Sequence, residues 1–298
     1  MLAPYMYPCT IEYSITCLTI FYIIWKNIGK KKKHFGFILK TDELESVFNI
    51  DCQKTSIGLF CGMIVLLSTI VANILYFIFK SDSSSVKTYA KENGTTATEN
   101  ITNKNIVPDD FESNSTFIIE ILELVLICIS FIATIAAIIR TKNLAKMENI
   151  SMKFDEFLGI ISLCGIYIYC IFSSFSIIYT NNRSTRAYIV LIISLLSMIE
   201  TTLQVYLVLD GLKRRAISES DRIKKPGRQL FTLLIIVNLC LWISDTFVYK
   251  RFDANQYQLN YFSVLAWSII NTISSPIAIF FRFHVSVCLS DCWKSVYL

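Results

Sequence analysis

FIIEILELVLICISFIATIAAIIRTK (117–142) decides the fold. Between Phe117 and Ile139 the only charges are Glu120 and Glu123, and the run closes on Arg140 and Lys142. A helix rises about 1.5 Å per residue and the hydrocarbon core of a bilayer is about 30 Å thick, so about 20 apolar residues cross it. The stretch predicts a transmembrane helix with its acids at one end and its bases at the other. Lys and Arg in short loops resist translocation, so the basic end belongs in the cytosol.

Outward from this stretch, the same criterion marks spans near 8–26, 55–80, 116–139, 156–179, 187–209, 229–248 and 261–283. An all-α membrane protein of about seven transmembrane helices follows. The composition agrees: 54% of the 298 residues are apolar, five are proline, and the mean hydropathy is +0.52, outside the range of a soluble domain. Basic residues recur in alternate loops: Lys30, Lys31, Lys32 and Lys33; Arg140, Lys142 and Lys146; then Lys213, Arg214, Arg215, Lys224, Lys225 and Arg228. These loops are expected in the cytosol, where the tetralysine run would also meet lipid headgroups. The loops 81–115, 180–186 and 249–260 are poorer in positive charge and are expected outside, with the N-terminus.

The outer loop 81–115 is rich in Ser, Thr and Asn and carries glycosylation sequons at Asn93, Asn100 and Asn114, so it reads as solvated and flexible. It has no cysteine. Cys17, Cys61, Cys128, Cys164, Cys170 and Cys240 fall in helices and read as small packing residues. Cys288 and Cys292 share a helix face, but His284 alone adds too little for a zinc site, so no metal or cofactor is expected. MLAPYMYP lacks the basic start of a signal peptide; an outside N-terminus without one is explained by a preceding helix in a longer chain.

Ionisable residues at membrane depth cost about 2.5–3.5 kcal/mol on insertion scales, which makes each a candidate. Glu12, Thr16 and Thr19 share one helix face; Glu120, Glu123, Ser130 and Thr134 form a stripe on another. Ser197, Glu200, Thr201 and Gln204 cluster mid-helix with Asp210 further on, and Asn238, Trp242, Asp245 and Tyr249 line up in the next span. Asn271, Ser275 and Arg282 share a face of the last helix, where Pro276 frees a carbonyl and His284 follows. The plainer readings are that Ser and Thr bond their own backbone, that Gln204, Asn238 and Asn271 tie helices together, and that Glu120 is hydrated at the outer boundary. Glu12 and Glu200 resist such explanations. No G-x-S-x-G, H-E-x-x-H, P-loop or glycine-rich phosphate cradle is present, which leaves an enzyme without support. Nothing suggests a nucleic-acid partner.

YPCTIEYSITCLTIFYIIWKNIG (7–29), GRQLFTLLIIVNLCLWISDTF (227–247) and WSIINTISSPIAIFFRFHVSVCLSDCWKSVY (267–297) resemble the otopetrin family of proton-selective channels. SLLSMIETTLQVYLVLDGLKRR (194–215) and DEFLGIISLCGIYIYCIFSSFSIIY (155–179) resemble it in the same order. The resemblance implies two related six-helix domains and dimeric assembly in the complete family fold. Here it implies one preceding helix within 1–54 and a six-helix domain over 55–298. It also implies a multi-pass plasma-membrane channel whose partners are protons, lipid and a second otopetrin chain. It carries Glu12, Glu200, Gln204, Asn238, Asp245, Asn271, Arg282 and His284 over as proton-pathway or gating positions. On this reading Glu200, Gln204 and Asn271 relay protons, while Glu12 and His284 couple pH to conduction. A non-conducting assembly subunit is one alternative. A seven-helix G-protein-coupled receptor is another, but its D/E-R-Y and N-P-x-x-Y signatures are replaced by IIRTK and SSPIAIFF.

Overall fold

A computed structural model of the chain describes residues 54–92, 109–147, 154–179, 184–249 and 256–297, with scattered positions between 13 and 28. Glu12 and most of the expected first helix, 8–26, lie outside the described residues, although Tyr13, Cys17, Phe21 and Trp25 are helical. The other elements are α1 (Ser56–Glu92), α2 (Asp109–Thr141), β1 (Ala145–Lys146), α3 (Phe154–Tyr179), α4 (Thr185–Gly211), β2 (Arg214–Arg215), α5 (Glu219–Lys224), α6 (Arg228–Ser244), a π turn (Asp245–Tyr249) and α7 (Gln256–Ser295). Six of these helices contain a stretch long and apolar enough to cross a bilayer: Ser56–Phe79, Phe117–Thr141, Leu158–Tyr179, Thr185–Gly211, Arg228–Phe247 and Gln258–Ser295. The protein is an all-α membrane protein.

Two boundaries differ from the sequence reading. The polar loop expected over 81–115 is shortened from both sides, because α1 continues to Glu92 and α2 starts at Asp109. Once nucleated, a helix adds a hydrogen bond per residue, so Ser- and Lys-rich sequence can prolong it in water. Asn114 lies on the helical backbone of α2, whereas Asn93 and Asn100 lie outside the described residues. The last helix runs to Ser295, past the expected end at 283, because the apolar face continues through Val285, Cys288, Leu289 and Cys292, all buried. Near its start, Ser263 sits at φ 68°, ψ 162°, a left-handed conformation that breaks the helix.

The six long helices form a closed ring in the order α1, α2, α4, α3, α7, α6, with α2 touching α6 and α4 touching α7 across it. Apolar side chains fill the half nearer the basic loops, where Phe231, Leu234, Phe281, Leu289 and Cys292 are all but inaccessible. The next layer packs Leu126, Ile127, Ile193, Val237 and Leu241.

At the basic end the loops are clasped together. β1 and β2 pair antiparallel, Met147 N donates to the Lys213 carbonyl at 2.9 Å, and Ala216 N donates to the Val296 carbonyl at 2.8 Å. Tyr297 Oη donates to the Pro226 carbonyl, and the Arg228 guanidinium lies 4.1 Å from the centre of the Trp293 ring. Burial pushes the Tyr297 phenol above the usual tyrosine range, which keeps its proton available for that bond. Arg214 closes the clasp through Asp210 and through the carbonyls of Lys142 and Leu144, at 2.6 and 3.0 Å.

Glycine sets the closeness of α1 and α6. A Cβ at Gly58 would stand 2.1 Å from the Gln229 carbonyl oxygen, and one at Gly62 would stand 2.4 Å from Ile236 Cδ1. Backbone cannot step aside, whereas the tip of an isoleucine can. Gly58→Ala is therefore expected to destabilise the bundle by about 1–3 kcal/mol and Gly62→Ala by clearly less. Thermal unfolding in detergent checks the ranking, and equal losses would refute it.

Candidate functional site

Polar stripes from three helices meet inside the ring. Glu200 on α4 is fully buried, and Arg282 on α7 is 4% exposed. Arg282 Nη1 donates to Glu200 Oε2 at 2.8 Å, and its Nη2 approaches Ser197 Oγ at 3.4 Å. Ser130 on α2 donates to Glu200 Oε1 at 2.5 Å and accepts from Gln204 Nε2 at 2.6 Å. The result is a directional chain, Gln204 to Ser130 to Glu200, which ends on the Glu200 carboxylate, and Arg282 donates to that carboxylate from the other side. A buried ion pair survives at this depth only when its remaining hydrogen-bonding capacity is met, and Ser130 and Ser197 supply that.

Arg282 also lines a cavity of about 50 Å³. Its walls include Glu123 from α2, Cys170 from α3, Ser197 from α4, Asp245 from the π turn, and Ser275 and Arg282 from α7. At roughly 10–15 Å³ per water centre, it has room for on the order of three to five waters. Asp245 is the first residue of the π turn, whose wider i→i+5 spacing recurs at functional sites. Two carboxyl groups and a guanidinium thus surround a water-sized space at membrane depth.

The sequence candidates separate into groups. Glu200, Gln204 and Arg282 belong to one hydrogen-bonded network, and Asp245 stands on the cavity wall beside Arg282. Asn238 is fully buried but donates to Leu234 O of its own helix at 2.9 Å, while its Oδ1 has no hydrogen-bond partner among the described residues. Asn271 is half-buried and accepts from Ser275 Oγ, a turn away on α7. His284 is buried, its ring stacked on Phe280 at 5.3 Å with Nε2 3.5 Å from Cys288 Sγ. Glu12 lies outside the described residues. No cluster suited to a metal ion occurs among the described residues.

The plainer reading holds for several hydroxyls: Ser194, Thr201, Thr202 and Ser274 each bond a backbone oxygen four residues back. Three partners escaped the sequence reading. Ser130 and Glu123 appeared only as members of a stripe, and Cys170 only as packing. The signal for Glu123 and Ser130 was the helical face they share with Glu120, which gave direction but no partner; Cys170 had none. Glu120 itself, for which hydration at the outer boundary is the plainer reading, is 6% exposed and bonded to Arg186, from a stretch read as poorer in positive charge.

The otopetrin sequence profile matches residues 1–283. The chain belongs to the otopetrin family. It is 30% identical over 302 residues to a Drosophila melanogaster protein named "Proton channel OtopLc", an alignment that covers 99% of this chain and 17% of that relative. The chain thus spans about a sixth of the length of this relative, 17%.

Removing one partner of the buried pair leaves the other charge stranded. Arg282→Met is expected to cost about 3–5 kcal/mol, with most of the loss recovered when Glu200→Met is added. Denaturation of the two variants in detergent measures this. A double variant no better than the single would mean that the pair is not the dominant buried charge.

Proposed function

We propose that this chain carries protons across the plasma membrane through the cavity bounded by Glu123, Asp245 and Arg282. The observation that carries the reading is the meeting of two acids and a guanidinium around a space of about 50 Å³ inside a membrane bundle. Membership of the otopetrin family and the printed name of the Drosophila relative support it.

A proton needs only a relay of water and titratable groups, whereas an alkali ion must bring or replace its hydration shell. Glu123 and Asp245 pick up and pass the proton. Arg282 and Glu200 provide fixed, mutually balanced charge, and the Gln204–Ser130 chain holds that pair in register. This assignment moves the relay from Glu200, Gln204 and Asn271, where the sequence reading puts it, to the acids on the cavity wall. His284, together with Glu12, retains the role of coupling pH to conduction.

The remaining assignments belong to the same reading. The clasped basic end faces the cytosol by the charge rule, so the N-terminus lies outside and Asn93, Asn100 and Asn114 are exposed to glycosylation. Residues 55–298 form one six-helix domain that works within a larger otopetrin assembly, as a homodimer or with another otopetrin chain.

Purified protein in vesicles with a trapped pH dye tests the reading. An imposed proton gradient is expected to collapse through wild type, and Glu123→Gln or Asp245→Asn slows the flux at least several-fold. Wild-type flux indistinguishable from empty vesicles would leave the assembly-subunit reading in its place, and unchanged flux in both variants would remove the cavity from the path.

A further inference from the structure

An ion pair stands unused by this mechanism at the end of the bundle opposite the clasp. Glu120 takes both carboxylate oxygens to Arg186, the second residue of α4. Nε of Arg186 lies 3.0 Å from Oε1 and 3.0 Å from Oε2, and Nη2 lies 2.9 Å from Oε1. Multipoint contact of this kind fixes the guanidinium in place as well as balancing its charge. The Glu120 side chain is 8% exposed and that of Arg186 is 26% exposed, so the acid is sunk in the bundle while the base reaches its surface.

Helical spacing puts the pair over the cavity. On α4, Arg186, Ile193 and Ser197 follow at i, i+7 and i+11 on one face, and Ile193 and Ser197 both line the cavity. On α2, Glu123 lies one turn further in from Glu120 and lines the same cavity. The two helices bridged by the pair are therefore two of the cavity's own walls.

We propose that Glu120 and Arg186 form the outer gate of the proton path, and that a proton taken up by Glu120 opens it. The proposal rests on the channel reading above. With Glu120 ionised, the guanidinium is held across the way to Glu123. When an external proton bonds to a Glu120 oxygen, the carboxyl group becomes neutral and its charge-assisted bonds to Arg186 weaken. Arg186 then turns to the surface it already reaches.

The groups around Glu120 act in the same direction. Glu123 follows it on its own helix, Arg186 faces it from α4, and Tyr76 from α1 packs with the neighbouring Ile119. Asp245, from the turn after α6, lines the same cavity as Glu123. While ionised, both cavity acids add to the attraction that keeps Arg186 inward. As they load with protons that attraction falls, so acidification favours opening at every site.

The test uses the full chain in vesicles. Wild-type flux is expected to rise as external pH falls. In Glu120→Gln, which imitates the protonated acid, and in Arg186→Gln, flux at neutral external pH is several-fold above wild type and its dependence on external pH flattens. The exchanged pair, E120R with R186E, regains the wild-type dependence, which a merely structural staple does not require. Single variants that keep the wild-type pH dependence, or an exchanged pair that behaves like the single variants, overturn the gate. Wild-type vesicles without flux sink the channel reading itself, and infrared difference spectra then decide for Glu120. A protonated-carboxyl band that grows on acidification and is missing from Glu120→Gln supports the trigger; no such band overturns it.

Discussion

The buried pair of Glu200 and Arg282 is the constraint on which the rest of the interior depends. Neither charge can be left alone at this depth, so α4 and α7 are held at one register and one rotation. Ser130 brings α2 into the same bond set, and Gln204 fixes Ser130 in turn. Three helices are thus locked by a handful of bonds near the middle of the bundle. Arg282 also borders a cavity, whose lining it shares with the polar side chains of Glu123, Asp245 and Ser275.

Element existence was legible in the sequence because an apolar run of about 20 residues has few alternatives. Element ends were less so. Beyond residue 283 the last helix alternates buried Val285, Cys288 and Leu289 with polar residues, a pattern of one apolar stripe that a span criterion reads as the end of the membrane segment. The polar stripes were legible as stripes because helical phase depends only on local spacing. Which stripes meet was not: Ser130 and Glu200 are 70 positions apart, Glu200 and Arg282 are 82 apart, and no local periodicity encodes either contact. Asn238 and Asn271 illustrate the converse. Their composition matched that of a site, yet the bonds they make stay within their own helices.

Packing and polarity are divided along the bundle. Near the basic loops the interior is dense and apolar, whereas hydrogen-bonded charge and open space lie further towards the Glu120 end. Close approach without side chains, as at Gly58, serves the wall between α1 and α6 and leaves the polar interior to α2, α4 and α7.

The clasp at the basic end has a mechanical corollary. Backbone bonds join Met147 to Lys213 and Ala216 to Val296, and Tyr297 ties the end of α7 to the turn before α6. With those ends sewn together, the bundle resembles a tuning fork held at its stem. At the opposite end no backbone bond of this kind is involved among the described residues: α2 and α4 are joined there through side chains, by the bond of Arg186 to Glu120.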